Sequence, residues 1–219
     1  MKILINSYPR SGTTTLVDAI RVSVLSDELQ FGEDFFHNEQ WISKSHLPVL
    51  FFGSFPSDIV IGTILRDPVD AISSNCFRWA NGHTGNIVQG KIVIDKSRES
   101  KENKFDETLK NLIIHQVKQY ISYYSCLMAN PKNVLMFEYS EIQNDTKRVV
   151  DRAVLAAGGN VSSLNYVAAE RIIKNPPQPT KEKTELYYRI REYISSLEET
   201  NECYSLYHKL LKIKGENNE

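Results

Sequence analysis

Short apolar runs separated by polar turns mark the strands that this sequence predicts. Residues 3–5, 59–65 and 134–137 are nearly continuous apolar runs, and the second is rich in β-branched side chains. Continuous runs of this length are typical of strands that are buried on both faces. A polar turn follows the first run, and apolar residues then recur at helical spacing, at Leu16, Val17, Ile20 and Val24. The chain therefore begins with a strand, a turn and a helix.

Longer segments carry the period of helices. Glu107 to Met128 places its apolar residues on one stripe, and the pattern from Thr146 to Ala157 stops at Gly158. A long final helix is predicted from about Glu182 to Leu211, and a small hairpin from Ile87 to Ile94. Strands that alternate with helices predict an α/β fold, a three-layer arrangement with a mostly parallel central sheet and helices on both faces. The length suits a single domain over residues 1–219.

Composition and charge exclude several classes of protein. The 219 residues are 41% hydrophobic and 24% charged, which is ordinary for a globular domain. The formal net charge of −1 creates no overall field that would attract nucleic acid. Cys76, Cys126 and Cys203 form no CxxC pair, so neither a disulfide framework nor a zinc site is expected. Without a signal peptide or a membrane-spanning apolar run, we expect a reduced, soluble, cytoplasmic protein.

The turn after the first strand, SYPRSGTTTL at residues 7–16, has the character of an anion site. A helix that starts here directs unpaired N–H groups and its positive dipole end at one point. Gly12 permits close approach of the backbone, while Arg10, Ser11, Thr13 and Thr14 supply a cation and hydroxyls. The alternative is an ordinary turn in which Ser and Thr cap the helix. The P-loop pattern is not satisfied, because no lysine follows Gly12, so a nucleoside triphosphate is not the expected ligand.

A second polar segment follows the strand at 59–65. Arg66 lies where ligands bind in open parallel sheets, beyond the carboxyl end of a strand, and a helix is expected to begin directly after it. Ser74 lies two turns along that helix, so the pair can hold a second anionic group. The alternative is that Arg66 forms an ion pair with Asp67 or Asp70.

Two more segments contribute candidate groups. Lys44 and His46 place a cation and a titratable base two residues apart, and Tyr139 ends the predicted strand that begins at Val134. Each of these residues has an ordinary structural alternative, since a single His is more often structural and a Tyr in this position is more often part of the core or its rim.

Together the four segments resemble the sulfotransferase family, which uses 3′-phosphoadenosine 5′-phosphosulfate (PAPS), and are closest to its cytosolic small-molecule branch. Residues 7–14 are similar to the family's phosphosulfate loop, T-Y-P-K-S-G-T-T, and 44–48 (KSHLP) to its K-T-H-L-P stretch. Arg66 to Pro68, with Ser74, is similar to the 3′-phosphate motif. Residues 134–142 resemble the strand whose tyrosine approaches adenine, and 174–176 the K-x-N-P element. The resemblance covers about residues 2–176 and implies the P-loop-like sulfotransferase fold.

The chain also departs from the family pattern. Arg10 replaces the lysine of the phosphosulfate loop, and Thr15 replaces the tryptophan that stacks on adenine. The C-terminal R-K-G element has no clear counterpart, so the chain is shortened there. Lys181 or Lys183 is a candidate substitute, whereas Lys214 lies too near the end of the chain.

The resemblance implies catalytic roles for His46, Lys44 and Arg10, without a metal ion. His46 is the expected general base, with Glu33 as the next candidate, and Lys44 adds positive charge beside the transferred group. The implied nucleotide-binding residues, for the donor PAPS and its product 3′-phosphoadenosine 5′-phosphate (PAP), are Arg10, Ser11, Gly12, Thr13, Thr14, Thr15, Arg66, Ser74 and Tyr139.

The acceptor and the competing functions are less defined. The implied acceptor is a small molecule or a carbohydrate, and residues 81–105 are a candidate lid on its side of the site. Candidate pocket residues are Phe31, Phe35, Phe36, Trp41, Phe77 and Trp79, each of which has the core as its alternative location. The competing functions are a P-loop-type nucleotide kinase and a catalytically silent nucleotide-binding protein. The sequence leaves the oligomeric state open.

Overall fold

A five-stranded sheet organises the structure, a computed structural model that describes residues 2–25, 35–37, 40–47, 59–80, 86–88, 91–93, 105–131, 134–175 and 185–216. The strands of the central sheet are β1 (Lys2–Asn6), β2 (Phe35–His37), β3 (Gln40–Ser45), β4 (Val60–Leu65) and β7 (Val134–Glu138), in the order β2-β3-β1-β4-β7. Four of them are parallel, and β2 is an antiparallel edge strand. The predicted mostly parallel sheet is confirmed.

The strand order creates a switch point at β1. The chain passes from β1 to β3 on one side, and β4 then pairs with β1 on the other side. Ligand sites in open α/β sheets lie at such points, beyond the carboxyl ends of the strands. The turn that follows β1 therefore occupies the favoured position for a ligand in this topology.

Eight helices are described, and they cover both faces of the sheet. They are α1 (Thr13–Leu25), α2 (Pro68–Ala80), α3 (Glu107–Ala129), α4 (Tyr139–Asn144), α5 (Thr146–Ala156), α6 (Tyr166–Lys174), α7 (Glu185–Ser196) and α8 (Glu199–Glu216). One core, with Ile61 and Leu65 of the sheet, joins α2, α3, α7 and α8. The other core, with Ile64 and Phe137, joins α1, α5 and α6. The predicted three layers are confirmed, because neighbouring strand residues point into opposite cores.

The single final helix predicted from Glu182 to Leu211 is wrong, because two helices occupy this segment. The chain turns at residues 197–198, where the N–H of Leu197 donates to the carbonyl of Ile194 at 3.1 Å. The Thr200 hydroxyl donates to the same carbonyl at 2.5 Å. Side-chain hydroxyls that bond to helix carbonyls compete with the regular helical pattern. The apolar period continues across the break, which is why the sequence pattern does not reveal it.

The other predicted elements agree closely with the structure. Helices α3 and α5 begin at the predicted residues, and Gly158 adopts φ of +73° immediately after α5. The predicted hairpin is confirmed as β5 (Asn86–Val88) paired with β6 (Lys91–Val93). Among the described helices, none is both long enough and apolar enough to cross a membrane.

Candidate active site

The polar segments singled out from the sequence meet at one edge of the sheet. Strands β1, β3, β4 and β7 run parallel, so the residues that follow them emerge on the same side. These are the turn at 7–12, residues 46–47, residues 66–67 and Tyr139. Pairing of Ile5 with Lys44 and of Leu65 with Glu138 aligns the strand ends.

Buried hydrogen bonds fix the turn after β1. The Ser7 hydroxyl accepts a hydrogen bond from the N–H of Ile64 at 2.8 Å. The Tyr8 hydroxyl donates to the side-chain oxygen of Gln116 at 2.8 Å, and the Tyr8 ring packs edge-on against Tyr120. Burial of Tyr8 raises the pKa of its hydroxyl well above the ordinary value, so the group stays neutral. The turn is therefore anchored to both β4 and α3.

The backbone of this turn is unusual at Arg10 and Gly12, which adopt φ of 65° and 95°. A non-glycine residue in this region carries strain, which tends to persist at functional sites. At Gly12 a Cβ atom would lie 2.9 Å from Cε2 of Tyr139. Glycine is thus required here both by the backbone conformation and by the close approach of the Tyr139 ring.

The start of α1 presents polar groups toward the same edge. Thr13 opens the helix with a buried hydroxyl that has no hydrogen-bond partner among the described residues. Thr14 accepts a hydrogen bond from Nζ of Lys44 at 3.0 Å, and Thr15 is half-buried in the first turn. The buried Ser11 hydroxyl likewise has no hydrogen-bond partner in the described part of the chain, and the nearby Tyr124 hydroxyl donates to the carbonyl of Ile64 at 2.9 Å. An unsatisfied buried hydroxyl beside the free N–H groups of a helix start is consistent with an anion site.

His46 is held in a defined orientation beside Lys44. Its Nδ1 atom lies 2.6 Å from the carbonyl oxygen of Ser7. Because a carbonyl only accepts hydrogen bonds, Nδ1 carries the proton, and Nε2 keeps a free lone pair. Two hydrogen bonds between Asn6 and the backbone of Leu47, of 2.9 and 3.1 Å, fix the residue that follows.

The electrostatic environment favours the neutral form of the His46 ring. Desolvation lowers the pKa of His46, and the positive charges of Lys44 and Arg10 lower it further, against the opposing effect of the Ser7 carbonyl. A neutral imidazole with an available Nε2 atom is able to accept a proton.

Arg66 points into the site and forms no ion pair with its neighbouring carboxylates. It donates to the carbonyl of Arg10 at 2.6 Å, and its guanidinium lies 4.3 Å from the ring centroid of Tyr139. Its Nε atom is buried, and no residue in the described ranges forms a hydrogen bond with it. Asp70 instead pairs with Arg191, and Asp67 accepts from the Tyr204 hydroxyl at 3.1 Å. The alternative of an Arg66–Asp67 or Arg66–Asp70 pair is therefore not what the structure contains.

The Arg10 side chain contacts Ser74 of α2. Its Nε atom is 3.4 Å from the hydroxyl of Ser74. Burial lowers the pKa of Arg10, as do the positive charges of Arg78 and Arg66. Arg10 therefore contacts Ser74 while its positive charge also acts on His46, and its predicted place in the phosphosulfate loop stays a prediction.

Comparison with known proteins identifies the fold. A search of solved structures finds the mouse sulfotransferase SULT7A1 complexed with PAP, with a TM-score of 0.53 and 15% sequence identity over 99% of this chain and 85% of that chain. No protein-family model matches the chain, and no curated protein matches it either.

The chain has a sulfotransferase fold. This confirms the fold expected from the four motifs.

The remaining candidates of this sulfotransferase-like domain fall into three groups. Phe77 belongs to the core, where its ring packs edge-on against Tyr187, and Trp79 packs against the same core. The structure places the backbone of Phe35 and Phe36 on β2 and the backbone of Trp41 on β3. Candidates outside the described residues are Phe31, Glu33, Lys181 and Lys183, together with much of the predicted lid at 81–105.

Lys214 and Lys174 have other partners. Lys214 is buried and pairs with Glu138 and Glu141 at the end of β7, at 3.5 and 2.7 Å. Lys174 is exposed and pairs with Glu170 at 3.4 Å. Lys214 thus stabilises the segment that carries Tyr139.

Proposed function

We propose that this protein transfers a sulfuryl group from PAPS to a hydroxyl or amine of a small-molecule or carbohydrate acceptor, with His46 as the general base. The observation that carries the proposal is the hydrogen bond between Lys44 and Thr14, which joins the segment of the base to the anion-binding turn. An imidazole, a lysine and a helix start are thereby within reach of one bound group.

The residues fit the charge of the donor. PAPS carries anionic groups at both ends of its ribose, and the site offers two cationic regions, one at the start of α1 with Lys44 and one around Arg66. The buried atoms of the site that lack a hydrogen-bond partner among the described residues include Ser11 Oγ, Thr13 Oγ1 and Arg66 Nε, which are the kind of donors that a bound anion would satisfy. When bound, PAPS supplies an activated sulfuryl group.

The residues of the chain have separate tasks in this proposal. Backbone N–H groups of residues 12–14 hold and orient the sulfated end of the donor, since the Ser11 N–H already donates to the carbonyl of Tyr8, and Lys44 neutralises charge that develops there. His46 accepts the acceptor proton at Nε2. Its Nδ1–H donates to the Ser7 carbonyl, which stabilises the imidazolium that results. Arg66 and Ser74 hold the 3′-phosphate end.

The proposal also includes a cytoplasmic location of the protein and a lid on the acceptor side of the site. Cys76, Cys126 and Cys203 are free thiols, which suits the reducing cytoplasm. The β5–β6 hairpin belongs to the segment 81–105, which we propose covers the acceptor side of a single domain.

A transfer assay with labelled PAPS and a panel of phenols, alcohols, amines and sugars tests this function. We expect His46→Ala to lower turnover by about 100-fold or more, the range typical of a lost general base, while calorimetry shows unchanged PAP affinity. His115→Ala, at an exposed histidine of α3, is the matched control and should retain wild-type turnover.

Each possible result of these experiments tests a different part of the proposal. Wild-type turnover in His46→Ala would exclude His46 as the base and direct attention to Glu33. A wild-type protein that binds Mg-ATP but not PAP would favour the nucleotide kinase. PAP binding without transfer to any acceptor would favour the silent nucleotide-binding protein.

A further inference from the structure

A buried carboxylate, that of Asp18, lies on α1 one turn behind the contact between Lys44 and Thr14. Asp18 is only 7% exposed, although it is charged. Thr14 accepts the hydrogen bond from Nζ of Lys44 at 3.0 Å. Residues four positions apart on an α-helix are neighbours on one face. Asp18 therefore follows Thr14 on the side of the helix that Lys44 approaches.

This side of α1 packs against β3, the strand that carries Lys44. Arg21 donates two hydrogen bonds to the carbonyl oxygen of Ile42, at 2.7 and 3.2 Å, and its guanidinium lies 3.7 Å from the Asp18 carboxylate. The Ile42 side chain belongs to the core that contains α1. Lys44 follows Ile42 by two residues in a strand, so its side chain leaves the sheet on the same face. Thr14, Asp18 and Arg21 thus form one row along β3.

The Asp18 carboxylate interacts with two cations, one structural and one in the candidate site. Burial raises the pKa of Asp18, whereas the positive charges of Arg21 and Lys44 lower it and so stabilise the ionised carboxylate. Lys44 itself is exposed, and a single hydrogen bond to a hydroxyl only weakly restrains its flexible four-carbon stem. A carboxylate fixed behind that hydroxyl adds an attraction that the lysine would lose on rotating away.

We infer that Asp18 is a positioning residue for the sulfuryl transfer, because its carboxylate holds the ammonium group of Lys44 against Thr14 at the start of α1. The inference rests on the proposed function, in which the sulfated end of the donor binds at this helix start. It adds a residue that acts only through Lys44.

A purely structural role for Asp18 makes a different prediction. Asp18 pairs with Arg21, which joins α1 to β3, and removal of one partner from a buried ion pair destabilises a fold. Damage of that kind is independent of Lys44, so its effect would add to that of a change at Lys44. The decisive measurement is whether loss of the Asp18 charge still matters once Lys44 is absent.

Transfer assays on Asp18→Asn, Lys44→Ala and the double variant make this measurement. We expect Asp18→Asn to lower kcat by about 10-fold and to leave KM for PAPS within about 2-fold, since a misplaced charge acts mainly in the transition state. The double variant should match Lys44→Ala within about 2-fold, and Asp18→Glu should recover part of kcat. Asp151→Asn is the matched control, because Asp151 is an aspartate of α5 that accepts a hydrogen bond from Tyr166.

Lysine acetylation by acetic anhydride, followed by mass spectrometry, tests the same contact without sulfuryl transfer. In Asp18→Asn, Lys44 should react about 2- to 5-fold faster, the factor typical of a partly exposed ion pair. Lys118, an exposed lysine of α3, is the internal control and should keep its rate. If Asp18→Asn does not fold, Asp18→Asn/Arg21→Gln takes its place, because it removes both charges of the buried pair.

The outcomes distinguish this inference from the proposed function. An effect of Asp18→Asn on kcat that persists in full in the Lys44→Ala background overturns the inference alone. An unchanged ratio of Lys44 to Lys118 acetylation does the same. A wild-type protein that transfers no sulfuryl group to any acceptor contradicts the proposed function, whereas faster acetylation of Lys44 would still support the contact with Asp18.

Discussion

At the scale of single residues, His46 shows how the surroundings of a side chain prepare it for chemistry. The Ser7 carbonyl selects its tautomer, while desolvation and two nearby cations favour its neutral form. The sequence identifies a histidine next to a lysine, but the tautomer depends on a carbonyl 39 residues away in the chain.

The lowered pKa of His46 is a testable property. NMR titration of its ring should give a midpoint below about 6.5, the ordinary value, so the ring remains a base into mildly acidic solution. On acidification, kcat/KM should decrease around the same pH, because the pH dependence of kcat/KM reports the protonation of essential groups in the free enzyme. Lys44→Ala removes a repelling charge and should raise the midpoint.

Lys118→Ala is the control for that experiment, because Lys118 is an exposed lysine on α3. It should leave the His46 titration unchanged. A wild-type midpoint at or above 6.5, or a midpoint that Lys44→Ala does not move, would contradict the described environment of the ring.

At the scale of elements, the turn between β1 and α1 depends on close contact with the start of α4. The Tyr139 ring lies against Gly12 and also under the guanidinium of Arg66. Tyr139 therefore links the turn after β1 to the segment at Arg66, and one face of this ring, which is predicted to approach adenine, is covered by the Arg66 guanidinium. The ring orients Arg66 through a cation–π contact.

Gly12→Ala tests this contact, with Gly158→Ala as a control. Both glycines have positive φ, of 95° and 73°, but a Cβ at Gly158 would have no atom of the described residues within 4 Å. In both variants, backbone strain should lower the free energy of unfolding by about 1 kcal/mol or more. In Gly12→Ala, the clash with Tyr139 should lower it by about another 1–2 kcal/mol. Chemical denaturation measures both losses. Equal decreases in the free energy of unfolding of the two variants would show that the contact between Gly12 and the Tyr139 ring is not tight.

At the scale of the whole molecule, the candidate site joins the two cores. Tyr8 belongs to the core that contains α2 and α3, and Leu16 belongs to the core that contains α1 and α5. The turn between Tyr8 and Leu16 crosses the edge of the sheet from one core to the other. A ligand held by both sides of this edge therefore stabilises the folded domain as one unit.

Ligand-linked stability provides the corresponding measurement. At a PAP concentration about 100 times Kd, the free energy of unfolding should rise by about 2.7 kcal/mol. For a domain of this size that corresponds to a Tm increase of about 5–10 °C. Mg-ATP at the same concentration should give little increase. Arg66→Ala should lose most of the PAP-induced increase, and a full increase in that variant would argue against a role for Arg66 in binding.

The sequence by itself determined the layout of the elements, because continuous apolar runs and helical stripes are local patterns that the chain carries wherever it folds. It also determined which polar segments follow the strands, since residues 7–14, Lys44, His46 and Arg66 are read directly from their positions. It misjudged the final helix, where the break at residues 197–198 involves the Thr200 hydroxyl, which donates to the carbonyl of Ile194 in the preceding helix.

Only the tertiary structure decided which candidate residues are neighbours. Arg10 has a left-handed backbone and contacts Ser74 of α2, and its positive charge also acts on His46. Contacts between residues more than 60 positions apart carry no local sequence signal, so the grouping of charge around the site emerges only when the sheet brings the strand ends together.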